Sequence, residues 1–156
     1  PSSDLPLGGG QSVPHSGSGP DARRQAEPHA HWIGFAQGGR LLHAVDLGAD
    51  AVFAHRVDPD TGRVTDSSIA YRPQPGSGTR PLSRHPRLPV AYLRSEPPHS
   101  VTHLRARRVR SFTVRETFSA LPAQFNFASC AAHLAPDPPV GLGYRPHLPT
   151  ANPAPS

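Results

Sequence analysis

The feature that most constrains this chain is a repeat. Four short apolar runs, each closed by turn chemistry, fill residues 32–71, and a second set follows with Val101 in the place of Val52, 49 residues on. In the first set Trp32-Ile33-Gly34-Phe35 meets Gly38-Gly39, a two-residue hairpin signal. Leu41-Leu42-His43-Ala44-Val45 and Ala51–Val57 flank the turn Asp46-Leu47-Gly48-Ala49-Asp50, and Asp58-Pro59-Asp60-Thr61-Gly62-Arg63 leads into a fourth run from Val64 to Tyr71. Proline presets φ in that last turn. In the second set Leu82–Pro86, Val90–Leu93 and Ser100–Leu104 repeat the first three strands, and Phe112-Thr113-Val114 opens the fourth. A shorter third copy is expected to start near Ser129, with Pro136-Asp137 echoing His85-Pro86. Four strands in a unit of ~40–50 residues is the pattern of a β-propeller blade.

The sequence therefore predicts an all-β chain: a partial β-propeller of about two complete four-stranded blades plus part of a third, with irregular termini. Residues 1–28 are expected to be an irregular segment with the remnant of a preceding blade, 29–135 the blades, and 136–156 a Pro-rich tail. With 21 Pro, 14 Gly and 35% hydrophobic residues, little material remains for a large helical core, and no run shows helical apolar spacing. A propeller closes with ~4–8 blades, so this length is expected to represent a piece of a larger ring. A single cysteine, Cys130, excludes an internal disulfide and a Cys-rich zinc site. No apolar run reaches the ~18 residues of a membrane span.

Several segments in order carry a resemblance. They are Gly17-Ser18-Gly19-Pro20, Arg24-Gln25, Pro28-His29-Ala30-His31, Asp46–Asp50, Asp58–Arg63 and Pro75-Gly76-Ser77-Gly78-Thr79-Arg80. This series resembles the lactonase family of seven-bladed propellers, which includes propeller-type 6-phosphogluconolactonases and fungal carboxymuconate cyclases. Leu121–Phe125 and Ser129-Cys130-Ala131 look like the family's next inter-blade segment, so the resemblance spans roughly residues 8–137. It implies a cytoplasmic hydrolase that opens a sugar lactone, phosphorylated or not, with no cofactor, no metal and no membrane. Hydrolase and cyclase directions both stay open.

By motif position, the resemblance makes His31 the catalytic-region histidine, Arg80 the arginine after the Gly-Ser-Gly turn, and Glu96 the acid of an Asn-Glu pair. His29 and Arg145 are further substrate-contact candidates. These residue types suit the chemistry: His31 or Glu96 can take a proton from attacking water. Arg80 can stabilise an oxyanion or bind a phosphate or carboxylate. Which of His31 and Glu96 is the base stays open. The chain departs from the family pattern at Arg87-Leu88-Pro89, where Asp-Gly-Arg is typical, at Arg84, at Ser95, and at Ala131-Ala132-His133, where an acid is expected.

Other features read as structural. His29 and His31 share a strand face but bring no third metal ligand with them. Arg105-Ala106-Arg107-Arg108-Val109-Arg110 is read as a solvated inter-strand turn, because no aromatic stacking set interleaves it, and nucleic-acid binding is the disfavoured alternative. Cys130 with His133 is read as packing rather than a thiol nucleophile. The Gly-rich stretches 8–10 and 17–19 are read as flexible connections. The rival to an enzyme is a non-catalytic propeller piece that self-associates through exposed blade edges.

Overall fold

The computed structural model describes residues 10–36, 38–96, 99–108, 110–120, 133–137 and 141–145. It contains two four-stranded antiparallel sheets and one two-stranded sheet, and no helix among the described residues. The first blade runs β1 (Ala30–Phe35), β2 (Leu41–Asp46), β3 (Ala51–Val57) and β4 (Val64–Tyr71) in sequential order. The second runs β5 (Thr79–Arg84), β6 (Val90–Ser95), β7 (Ser100–Arg108) and β8 (Ser111–Ser119). β9 (His133–Asp137) and β10 (Gly141–Arg145) pair antiparallel, and β5 packs on β9, which begins a third unit. The chain is thus a partial propeller.

Local chemistry explains the turns. Gly38 and Gly39 both have positive φ, 91° and 68°, a backbone glycine adopts without strain, and the Gly39 amide donates to Ala36 O at 3.1 Å to close the turn. The β3–β4 turn is an Asx turn: Asp58 Oδ1 accepts from the amides of Asp60 at 2.8 Å and Thr61 at 3.2 Å. The second-blade counterpart of the Gly38-Gly39 turn, Arg87-Leu88-Pro89, joins β5 to β6. There His85 Nδ1 accepts from the amides of Arg87 and Leu88, and Pro89 contributes its carbonyl to Ala106. A histidine cap therefore replaces the expected Asp-Gly turn, and Pro89 sits where only an acceptor is needed.

The repeat is kept in detail. Leu47 donates its amide to His29 O, and Glu96, 49 residues later, donates to Gly78 O. Asp50 and His99, also 49 apart, both have positive φ, 44° and 51°. The blades bury a common core: Val45, Val52 and Ala54 of the first meet Leu82, Leu93, Leu104 and Phe112 of the second. Each fully buried Leu contributes roughly 1.5–3 kcal/mol. Arg84, placed where an apolar side chain was expected, fits by lying over the Phe112 ring at 5.7 Å and donating to His43 Nδ1.

The other face of the first blade is apolar and open. Strand register places Phe35, Leu42, His55 and Ser67 in one row and Ile33, Ala44, Phe53 and Ile69 in the next. Ile33 is 63% exposed and Phe35 61%. Residues 10–28 form no strand, yet are held specifically. Gln25 is buried and donates to Leu47 O at 2.9 Å, and Gly19 donates its amide to Gln25 O. Gly17–Gly19, expected to be a flexible connection, is instead packed on Ala49 and tied to Gln25.

Candidate functional site

The innermost strands of the two blades carry the site. His31 is the second residue of β1 and Arg80 the second residue of β5, so the repeat places them at equivalent positions facing one another across the seam. Arg80 Nη1 donates to His31 Nε2. Its Nη2 donates to Glu96 Oε2 at 2.6 Å. Arg94 Nη2 donates to the other carboxylate oxygen, Oε1, and Arg24 Nη2 lies 3.9 Å from Oε2. Glu96 and Arg94 are buried, whereas the Arg24 side chain is 44% exposed.

Backbone clamps fix this geometry. Asp50 Oδ1 and Oδ2 accept from the amides of Gly78 at 2.9 Å and Gly76 at 2.6 Å, across the seam. Gly78 has φ of 52°, and a Cβ there would lie 2.0 Å from Glu96 O. Only glycine lets the loop come this close to the strand that carries Glu96. Thr79 Oγ1 donates to Asp46 O at 3.0 Å, fixing the start of β5.

The electrostatics follow. Among the described residues, three guanidiniums surround one carboxylate. Because Arg80 donates to Nε2, the neutral His31 ring keeps its proton on Nδ1. Burial lowers the His31 pKa from its ordinary value, and Arg80 beside it lowers it further, so the ring is neutral at pH 7. Beside the cluster lies a groove of about 520 Å³ lined by Arg23, Arg24, Glu27, His29, His31 and Arg80. A concave, cationic wall with a neutral imidazole suits an anionic or carbonyl ligand.

Of the residues singled out from sequence, His31, Arg80 and Glu96 are brought together. His29 lines the same groove, its ring 6.4 Å from that of His31. Arg145 is on β10, paired in register with His133; both side chains lie outside the described residues, as does Cys130. Among the described residues no group of three His, Cys, Asp or Glu is arranged to hold a metal. The arginine-rich stretch includes Arg110, which donates to Asp66 across the seam. Arg94 and Arg24 were not singled out. A signal for the cluster was present in the repeat, since Glu96 stands where the first blade has the buried Leu47.

The family profile "Lactonase, 7-bladed beta-propeller" matches residues 5–138. The chain belongs to the lactonase family. The 6-phosphogluconolactonase of Bacillus subtilis (strain 168) is 32% identical over 126 residues, covering 79% of this lactonase-family chain and 35% of that protein. The periplasmic gluconolactonase of Pseudomonas aeruginosa superposes with a TM-score of 0.68 at 28% identity, over 80% of this chain and 35% of the other. A protein of known structure from Lactobacillus plantarum gives a TM-score of 0.70 at 27% identity, over 80% and 36% respectively. The chain spans about a third of the length of the curated relatives it matches. No helix among the described residues is long and apolar enough to cross a membrane.

Proposed function

We propose that this chain contributes the His31–Arg80–Glu96 part of a lactonase site, where water opens a sugar lactone. The observation that carries this is the convergence of the three side chains on one cationic groove. In this reading His31 is the base. Glu96 has both oxygens engaged by Arg94 and Arg80, and its role is to hold those guanidiniums in place. Once a ligand draws Arg80 onto its carbonyl oxygen, the Nε2 lone pair of His31 is released toward water. Arg80 then faces the charge that develops on the carbonyl oxygen as water attacks. The proton moves to His31 and returns to the ring oxygen as the acyl–oxygen bond breaks.

Arg24, half-exposed at the mouth, is positioned for an anionic substituent, which favours a phosphorylated sugar lactone such as 6-phosphogluconolactone. No cofactor or metal has a role in this scheme. Cytoplasmic placement belongs to the same proposal; the gluconolactonase neighbour is described as periplasmic.

The test is hydrolysis of 6-phosphogluconolactone and of unphosphorylated gluconolactone by the purified chain, beside His31→Ala, Arg80→Ala and Glu96→Gln. Hydrolysis above the spontaneous rate, lost in His31→Ala, supports the reading. Four proteins all at the spontaneous rate would remove the enzymatic claim for this chain. The open face with Ile33 and Phe35 supports a second reading, self-association. A monomeric mass at high protein concentration would exclude it.

A further inference from the structure

A second polar chain lies on the open face of the first blade, built from residues the lactone scheme does not use. Asp46 is fully buried at the end of β2. Its Oδ1 accepts from the amides of His29 and Ala49, each at 2.8 Å, and its Oδ2 accepts from His15 Nδ1 at 2.8 Å. His15 comes from the segment preceding β1 and lies flat on Phe53, ring centroids 3.9 Å apart. Its Nε2 meets His55 Nε2 at 3.3 Å, and His55 Nδ1 meets Ser67 Oγ at 2.8 Å.

With both imidazoles neutral, the buried acid sets the direction of this chain. As a carboxylate, Asp46 can only accept, so His15 carries its proton on Nδ1. The Nε2 of neutral His15 is then a lone pair, and His55 must donate to it from Nε2. That leaves His55 Nδ1 bare, and the Ser67 hydroxyl donates to it. A serine hydroxyl, an imidazole base, a second imidazole that orients the base and a buried acid are therefore aligned in one direction. This is the arrangement that activates a nucleophile.

The surroundings keep the base available. His55 is pulled below its ordinary pKa by burial first, then by His15 and by Arg110 from the second blade. Arg110 is itself engaged by Asp66, the residue before Ser67. Ser67 is exposed on β4. The relay opens beside a groove of about 620 Å³ whose lining includes His15, His55, Val13, Ile33, Leu42 and Val64. That lining is mostly apolar, unlike the cationic groove of the lactone site, and of the lining residues only His31 is shared between the two.

The geometry points to Ser67 as an activated hydroxyl that accepts an acyl group from a hydrophobic ester. Ser67 Oγ attacks the ester carbonyl carbon, and the hydroxyl proton passes to His55 Nδ1. On collapse the bond to the leaving oxygen breaks and His55 returns the proton to that oxygen. The products are O-acyl-Ser67 and the free alcohol, with no net redox change and no further reactant.

The test uses the full chain, an alkyl fluorophosphonate probe and p-nitrophenyl butyrate, with peptide mass spectrometry to locate the adduct. Wild type is expected to label at Ser67 and to release one equivalent of p-nitrophenol, with the labelling rate falling in acid along a titration whose midpoint lies below the ordinary histidine value. Ser67→Ala loses the adduct. His55→Gln slows labelling at least about a hundredfold. His15→Phe keeps the stack on Phe53 but breaks the relay, and slows labelling about tenfold. No adduct on Ser67 in wild type would overturn the inference. So would equal labelling rates in wild type and His15→Phe, a comparison that stands even if His55→Gln does not fold.

Discussion

Acid should destabilise this fold through a residue that takes no part in either site. His43 on β2 is fully buried between the blades. Its Nδ1 accepts from Arg84 Nη1 at 3.3 Å, its ring centroid is 5.3 Å from that of Phe112, and its Nε2 has no hydrogen-bond partner among the described residues. Burial, then the positive charge of Arg84, then His55 lower its pKa to about 4 from 6.5. The folded state therefore refuses a proton that the unfolded chain takes up between those two values. Stability is fully present above about pH 6.5 and falls as pH drops toward about 4. At ~1.4 kcal/mol per pH unit, the gap amounts to about 3 kcal/mol. That is a large part of the ~5–15 kcal/mol that holds a typical domain together. Urea denaturation at pH 7.5, 5.5 and 4 measures it, with His43→Gln as the comparison. Glutamine keeps an acceptor for Arg84 and cannot titrate. Wild type should lose about 3 kcal/mol more than the variant over that range. Parallel stability curves would refute the reasoning, because His31 and His55 titrate in both proteins.

Other outcomes follow from the same geometry. Gly78→Ala forces a Cβ toward Glu96 O at positive φ and should cost more than about 2 kcal/mol in thermal or urea unfolding. Asp50→Ala removes the acceptor of two seam amides and should cost about 3 kcal/mol; Asp50→Asn, which keeps one acceptor oxygen, should lose less. Lactone hydrolysis, as kcat/KM, should rise with pH along a titration whose midpoint lies below 6.5, the neutral His31 being the active form. A midpoint above 7 would remove His31 as the base. Arg24→Ala should raise KM for a phosphorylated lactone more than for an unphosphorylated one, and equal effects would argue against a phosphate contact at Arg24.

The strands were legible because their signals are local. Gly38-Gly39 and Asp58–Gly62 close hairpins by their own backbone chemistry, and the alternation through Ala51–Val57 needs no distant partner. The offset between Val52 and Val101 made the second blade readable even where Arg84 and Pro89 broke its pattern. The lactone-site candidates came from motif position, and the fold brought His31, Arg80 and Glu96 into contact because equivalent strand positions face a common seam. The partners of that carboxylate were harder to see. Arg94 is two residues from Glu96, but whether its side chain turns toward it depends on packing against the neighbouring blade. His15 was hidden for a stronger reason: its segment has no periodicity, and its place on Phe53 is set by tertiary contact alone. By composition Gly17–Gly19 is slack chain, whereas close approach to Ala49 and Gln25 is what those glycines permit.

The clasp from Asp50 to the amides of Gly76 and Gly78 gives the seam a mechanical character. Gly78 in turn accepts from the Glu96 amide, so a turn in one blade and the acid of the next are links of one short linkage. Rocking one blade against the other would drag the carboxylate and the Arg80 and Arg94 guanidiniums hydrogen-bonded to it along as well. Alignment at the hub is therefore inherited from the rigidity of a joint, and loosening that joint would blur the groove before either sheet came apart.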